Sequence, residues 1–189
     1  MPRISKPIRS VQDVLTDLLD DNRRRLQRHL DRCSDDCLYW MPTLETNSIA
    51  VTIWHMGRLL DVFLFRQALG YDVEEECWFQ KGWMQQTGYD PRGIGRDGWG
   101  SLNDYTSEEV AAMPRMSRHQ LLGYLDDVYT TTKEYLGSIS DEELQALAPG
   151  FEGRFTRYQC IQMALMDNVR HLGEIIALIG RWERESKNV

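Results

Sequence analysis

Apolar residues recur at helical rather than alternating spacing along most of the chain, and four segments sustain the pattern long enough to predict helices. The first runs from about Ile8 to Asp31, with Val11, Val14, Leu15, Leu18, Leu19, Leu26 and Leu30 along its stripe. The second, "IAVTIWHMGRLLDVFLFRQAL", runs from Ile49 to Leu69, with Asn47 or Ser48 as cap and Gly70 as stop. Its apolar residues surround the whole circumference, which predicts burial on more than one side. The third begins at Ser117, capped by a box to Gln120, and continues through Leu121, Leu125, Val128, Thr132 and Tyr135. The fourth begins at Thr156 with a box to Gln159 and reaches about Glu183. Two shorter turns, "TSEEVAAM" and "SDEELQAL", each open on a capping box of their own. Strand signals are scarce. The prediction is an all-α fold, a four-helix bundle whose site is built from inward-facing side chains on facing helices.

One long interruption, residues 71–116, separates the second and third helices. Its stretch from Tyr71 to Tyr105 is rich in Gly and carries Trp78, Phe79, Trp83 and Trp99. So many aromatics are not left in water, and the segment is expected to fold over one end of the bundle, as packing or as a lid. Residues 1–189 together read as a single domain.

Composition narrows the possible partners. The 22 Lys and Arg against 29 Asp and Glu leave a net charge of −7, a surface that repels phosphate backbones and argues against nucleic acid. The basic run Arg23, Arg24, Arg25 and Arg28 is flanked by Asp20, Asp21 and Asp31 and reads as a solvated helix face. Charges interrupt every apolar run well short of the roughly 20 residues of a membrane span. No secretory signal is visible, and four cysteines in such a chain suggest reduced thiols in a cytoplasm.

The chemistry concentrates on the second and fourth helices. Asp167 and His171 lie one turn apart, about 40° around the helix axis. His171 and Asn168 fall within the apolar arc of Ala164, Leu172, Ile175, Leu178 and Trp182, with Asp167 at its edge. On the second helix His55, Arg58 and Asp61 interrupt an apolar surface at intervals of three; Arg58 and Asp61 can pair, which leaves His55 in need of a partner. Buried carboxylates and imidazoles require partners. Two histidines and a carboxylate are three ligands for a divalent transition metal with a fourth position open, and they suit zinc, nickel, iron or manganese. Equally, the same residues can simply hydrogen-bond one another or Arg58. Rival groupings are weaker: His29, Cys33 and Cys37 straddle a helix end, and "GIGRDG", Gly93 to Gly98, follows no strand and opens no helix. Cys77 and Cys160 lack an activating neighbour, and His119 falls in an exposed first turn.

Three stretches resemble motifs of the DinB-like family, in particular the branch similar to mycothiol-dependent isomerases and transferases. "SIAVTIWHMGRLLD" resembles the family's second helix, where a Trp-His pair presents a ligand histidine. "GSLNDYTSEEVAAM" is similar to the turn entering the third helix of that branch, and "MDNVRHLGEII" to the His-x-Gly-Gln motif of the last helix. The likeness spans Asn47 to Gly180. It implies a four-helix bundle, commonly a homodimer, holding zinc, nickel or a similar ion through His55, Asp167 and His171. Asp167 stands where the commonest pattern has a second histidine, and Glu174 where it often has Gln, as an outer acceptor or an acid/base. The implied function is a metal-dependent thiol S-transferase or isomerase acting on a small electrophilic substrate, with a low-molecular-weight thiol such as mycothiol or bacillithiol. Arg58 would then orient a carboxylate, or simply pair with Asp61. The alternatives are a non-catalytic dimeric metal-binding protein of a stress response, or a metal-dependent hydrolase.

Overall fold

Ser10 takes an extended backbone, and its hydroxyl accepts the Asp13 N–H to start α1, Val11–Leu30. Ile8, the start expected from the pattern, lies outside the described residues, which in this computed structural model are 10–43 and 46–187. The chain continues through α2 (Asp35–Tyr39), α3 (Ile49–Val62), α4 (Cys77–Gln80), α5 (Trp83–Thr87) and α6 (Ser107–Ala111). Then follow α7 (Arg118–Ser138), α8 (Asp141–Gln145) and α9 (Arg157–Glu185), with no strand among the described residues. All four expected capping boxes close with both of their hydrogen bonds, at α6, α7, α8 and α9.

Helix α3 does not stop at Val62 but runs on into a π-helical stretch, Phe63–Leu69. Gly70 ends it with φ +71, and the Tyr71 N–H reaches back to the Phe65 carbonyl at 2.9 Å. A side chain at Gly70 would be strained by that φ and would put a Cβ 2.7 Å from Pro149 Cβ.

The four long helices form the bundle, α1 and α3 each packing against α7 and α9. Their directions follow from side-chain contacts. Gln12 bonds the Ile139 carbonyl and Arg118 the Leu30 carbonyl, so α1 and α7 are antiparallel. Arg32 and Glu183, near the ends of α1 and α9, approach to 3.7 Å, so these two are parallel. The Gly150 N–H, just ahead of α9, bonds the Gln67 carbonyl at the far end of α3, so α3 runs opposite to α9 and alongside α7.

Two parallel neighbours in sequence order need a connection that returns the length of the bundle, roughly 30 Å for the 21 residues of α7. Residues 71–116 are that crossover. Instead of folding over one end as expected, they run along the α3/α7 side. Trp83 Nε1 donates to Asp127 at 2.9 Å, and Gln120 donates to the Gln86 carbonyl at 3.0 Å. Trp78 is fully buried, edge-on to Trp54 and Tyr124. With α7, α9 and the crossover around it, every residue of α3 but Val51 is buried. The apolar circumference of this helix is therefore satisfied within one chain and does not argue for a second copy.

Smaller departures have local causes. Val11 and Val14 are 41% and 44% exposed, so the buried stripe of α1 is Leu15, Leu19, Leu26 and Leu30. In α7 it is Leu136 rather than Tyr135 that is buried. Three of the four arginines of α1 are engaged: Arg23 pairs with Asp126, and Arg24 and Arg25 with Asp21. No described helix is long and apolar enough to cross a membrane.

Candidate metal centre

The antiparallel packing of α3 and α9 brings His55 against Asp167 and His171. His55 Nε2 lies 3.1 Å from Asp167 Oδ2, and His171 Nε2 lies 3.2 Å from the same oxygen. The two imidazoles meet edge-on with centroids 4.7 Å apart. Among the described residues this is the one group of three His, Cys, Asp or Glu that could hold a metal ion, its ligand atoms all within 4.8 Å of one another. His29, Cys33 and Cys37 form no such group; His29 contacts Arg32, and all four cysteines are free and buried. The site sits at a rim, with His55 4% exposed, His171 13% and Asp167 21%.

The outer nitrogens decide which lone pairs face inward. His55 Nδ1 hydrogen-bonds the Ser101 carbonyl of the crossover, an oxygen that can only accept, so Nδ1 carries the proton. His171 Nδ1 donates in the same way to Glu174 Oε2 at 2.6 Å. In a neutral imidazole the proton sits on one nitrogen only, so both rings then present the Nε2 lone pair to the space beside Asp167. Outer acceptors that fix the tautomer are the usual support of a metal-ligating histidine.

A family model for the DinB superfamily matches residues 18–175. The chain belongs to the DinB superfamily. A solved structure similar to it, a conserved protein from Enterococcus faecalis, aligns with TM-score 0.73 at 23% identity, covering 91% of this chain and 96% of that one. At that identity the likeness shows the fold alone. No curated protein matches the chain.

The donor set of this DinB protein fits a small divalent cation. Tetrahedral ligands about 2.1 Å from an ion stand roughly 3.4 Å apart, close to the 3.1 and 3.2 Å separations from Asp167 to the two imidazoles. Burial alone would raise the Asp167 carboxyl, but His171 and His55, which donate to it whenever Nε2 also carries a proton, outweigh that and hold the group well below the usual carboxylate range. Burial alone would lower His171, but Asp167 and Glu174 outweigh that and raise it above 6.5. The signs follow. The Asp167 contribution to stability is present above pH 3.8 and fades as pH falls toward its depressed value; the His171 contribution is full below pH 6.5 and fades as pH rises through its raised value. A cation needs the His171 lone pair, so binding releases that proton. Zinc affinity measured by competition with a chelator should therefore climb between pH 6 and pH 8, by about tenfold per pH unit while His171 is still protonated. A flat profile over this range would contradict the ligand set.

Arg58 stands elsewhere. It is fully buried, donating through Nε to the Gly100 carbonyl at 3.0 Å and through Nη2 to the Trp99 carbonyl at 3.1 Å. Nη1 lies 2.8 Å from Glu76 and 3.3 Å from Asp61. Asp61 in turn accepts the Cys77 and Trp78 N–H groups and the Tyr124 hydroxyl. This cluster fastens the crossover to α3, and its arginine has no face for a substrate. It does act on the site from behind, because the carbonyls it grips immediately precede Ser101. Gly100 has φ +62, and a Cβ there would meet the Pro91 carbonyl at 2.2 Å, so only glycine allows the bend. Asn168, fully buried like the core residues beside it, bonds the Tyr129 hydroxyl at 3.2 Å and takes no part in the DinB site.

Proposed function

We propose that the protein is a metal-dependent thiol S-transferase or isomerase, in which His55, Asp167 and His171 hold a divalent zinc or nickel ion. The observation that carries the reading is the pair of histidines whose Nδ1 protons are committed outward, to Ser101 and Glu174, beside one shared carboxylate. A bound ion would supply thiol ionisation, lowering the pKa of a low-molecular-weight thiol such as mycothiol or bacillithiol at the open rim. A cleft of about 500 Å³ next to the site, lined in part by Asn47, Thr52, Glu174, Leu178 and Arg181, offers polar and charged contacts for the body of such a thiol. Glu174, half exposed and bonded to His171, is positioned to keep that ring in its ligating tautomer. Arg58 enters as support for the Ser101 carbonyl and not as a substrate contact. The same reading makes the protein a cytoplasmic homodimer; four free buried thiols suit a reducing compartment, and exposed Val11, Val14 and Val169 offer apolar surface to a second copy.

The test is turnover. Zinc- or nickel-loaded protein is mixed with a fluorogenic bimane and, in turn, mycothiol, bacillithiol and glutathione, and conjugation is followed against a metal-stripped control. At least one thiol should be conjugated faster with metal present, and His55→Ala should remove the difference. Activity that persists without thiol would replace this reading by hydrolysis. No metal-dependent turnover with any of the three would leave a metal-binding protein without catalysis.

A further inference from the structure

Arg170 is no ligand candidate, yet one of its nitrogens touches two of them. Nη2 lies 2.5 Å from Asp167 Oδ1 and 3.0 Å from His171 Nε2. A neutral His171 Nε2 has one lone pair, which takes either an N–H or a cation. A cation about 2.0–2.1 Å along that lone pair would fall within the 3.0 Å span to Nη2, and the two positive charges would repel. Coordination by His171 and the present Arg170 contact therefore exclude each other.

Arg170 is free to leave. Its side chain is 63% exposed, and its pair with Asp167 is a local one, three residues apart on α9; exposed pairs of this kind contribute little. It also stands on the open outer face of α9 beside Gln162, Met163, Met166 and Asp167. Met166 is 57% exposed there, an apolar wall beside a cationic group.

We propose that Arg170 competes with the metal for His171 and Asp167 and, once displaced, becomes the anion-recognition group of the open rim, so that the substrate carries a carboxylate beside an apolar body. This rests on the metal-centre reading above and extends it to the substrate class. The guanidinium would hold the carboxylate by paired N–H bonds, while Met163 and Met166 cover the apolar part.

Two titrations on purified full-length protein test it. Zinc affinity, by chelator competition at fixed pH, should be about twofold to fivefold tighter in Arg170→Ala than in the wild type, the gain expected from removing an exposed competing pair. Acetate added to the cobalt-loaded proteins should perturb the visible spectrum of the wild type saturably, with affinity lower by about tenfold in Arg170→Ala. Equal or weaker zinc binding by Arg170→Ala would overturn the competition while leaving the metal centre standing. Unchanged acetate affinity would overturn the anion role. Failure of the wild type itself to bind zinc would instead remove the metal centre, and this proposal with it.

Discussion

Arg58→Ala is expected to lower the stability of the fold by about 3–5 kcal/mol, the usual effect of removing one member of a buried ion cluster. For a chain of this size that is on the order of 10 °C in Tm. The reason is what remains behind. Asp61 and Glu76 are both fully buried, and without the guanidinium Asp61 keeps only neutral donors, the Cys77 and Trp78 N–H groups and the Tyr124 hydroxyl. Glu76 keeps Arg66, which also donates to the Trp99 carbonyl at 2.7 Å, so the crossover should loosen rather than detach. Arg58→Lys separates charge from geometry. It keeps a cation near the carboxylates but cannot reproduce the fork that holds the Gly100 and Trp99 carbonyls together. Its loss of stability should be smaller, while zinc affinity should still fall because the neighbouring Ser101 carbonyl is no longer fixed on His55. Thermal denaturation followed by circular dichroism checks the first point. A melting point for Arg58→Ala within a degree or two of the wild type would mean that the cluster does not fasten the crossover.

The long helices were legible because each carries both a period and a punctuation mark. The boxes at Thr106, Ser117, Ser140 and Thr156 fix four helix starts by local hydrogen bonding alone, and tertiary packing has no reason to overrule them. The all-round apolar surface of α3 was legible as burial, but not what buries it, since a partner chain and a crossover satisfy the same pattern. The path of residues 71–116 depends on helix direction: α3 and α7 run parallel, and no local signal states that. Within the site, His55, Asp167 and His171 stood out as polar residues at costly positions. Ser101 could not stand out, because what it contributes is a backbone carbonyl, available from any residue. Arg170 did leave a signal, three residues after Asp167 and next to His171, but on a surface helix such spacing usually marks a plain solvated pair.

The second large effect concerns the ion itself. Removing Asp167 takes away the one oxygen that both imidazoles approach, and removing His55 takes away the ligand from α3, so that α9 alone is left with its two. Each loss leaves two protein ligands where a catalytic site ordinarily uses three. Both variants should fold, because Asp167 lies at the rim and His55→Ala removes a ring from a position that keeps its core neighbours Trp54 and Met56. Metal content per chain, measured by elemental analysis on wild type, His55→Ala and Asp167→Ala purified side by side, tests the central claim most directly. The prediction is about one transition-metal ion per chain in the wild type and clear loss in both variants. The same metal content in all three, or none in the wild type grown with zinc and nickel supplied, would contradict it.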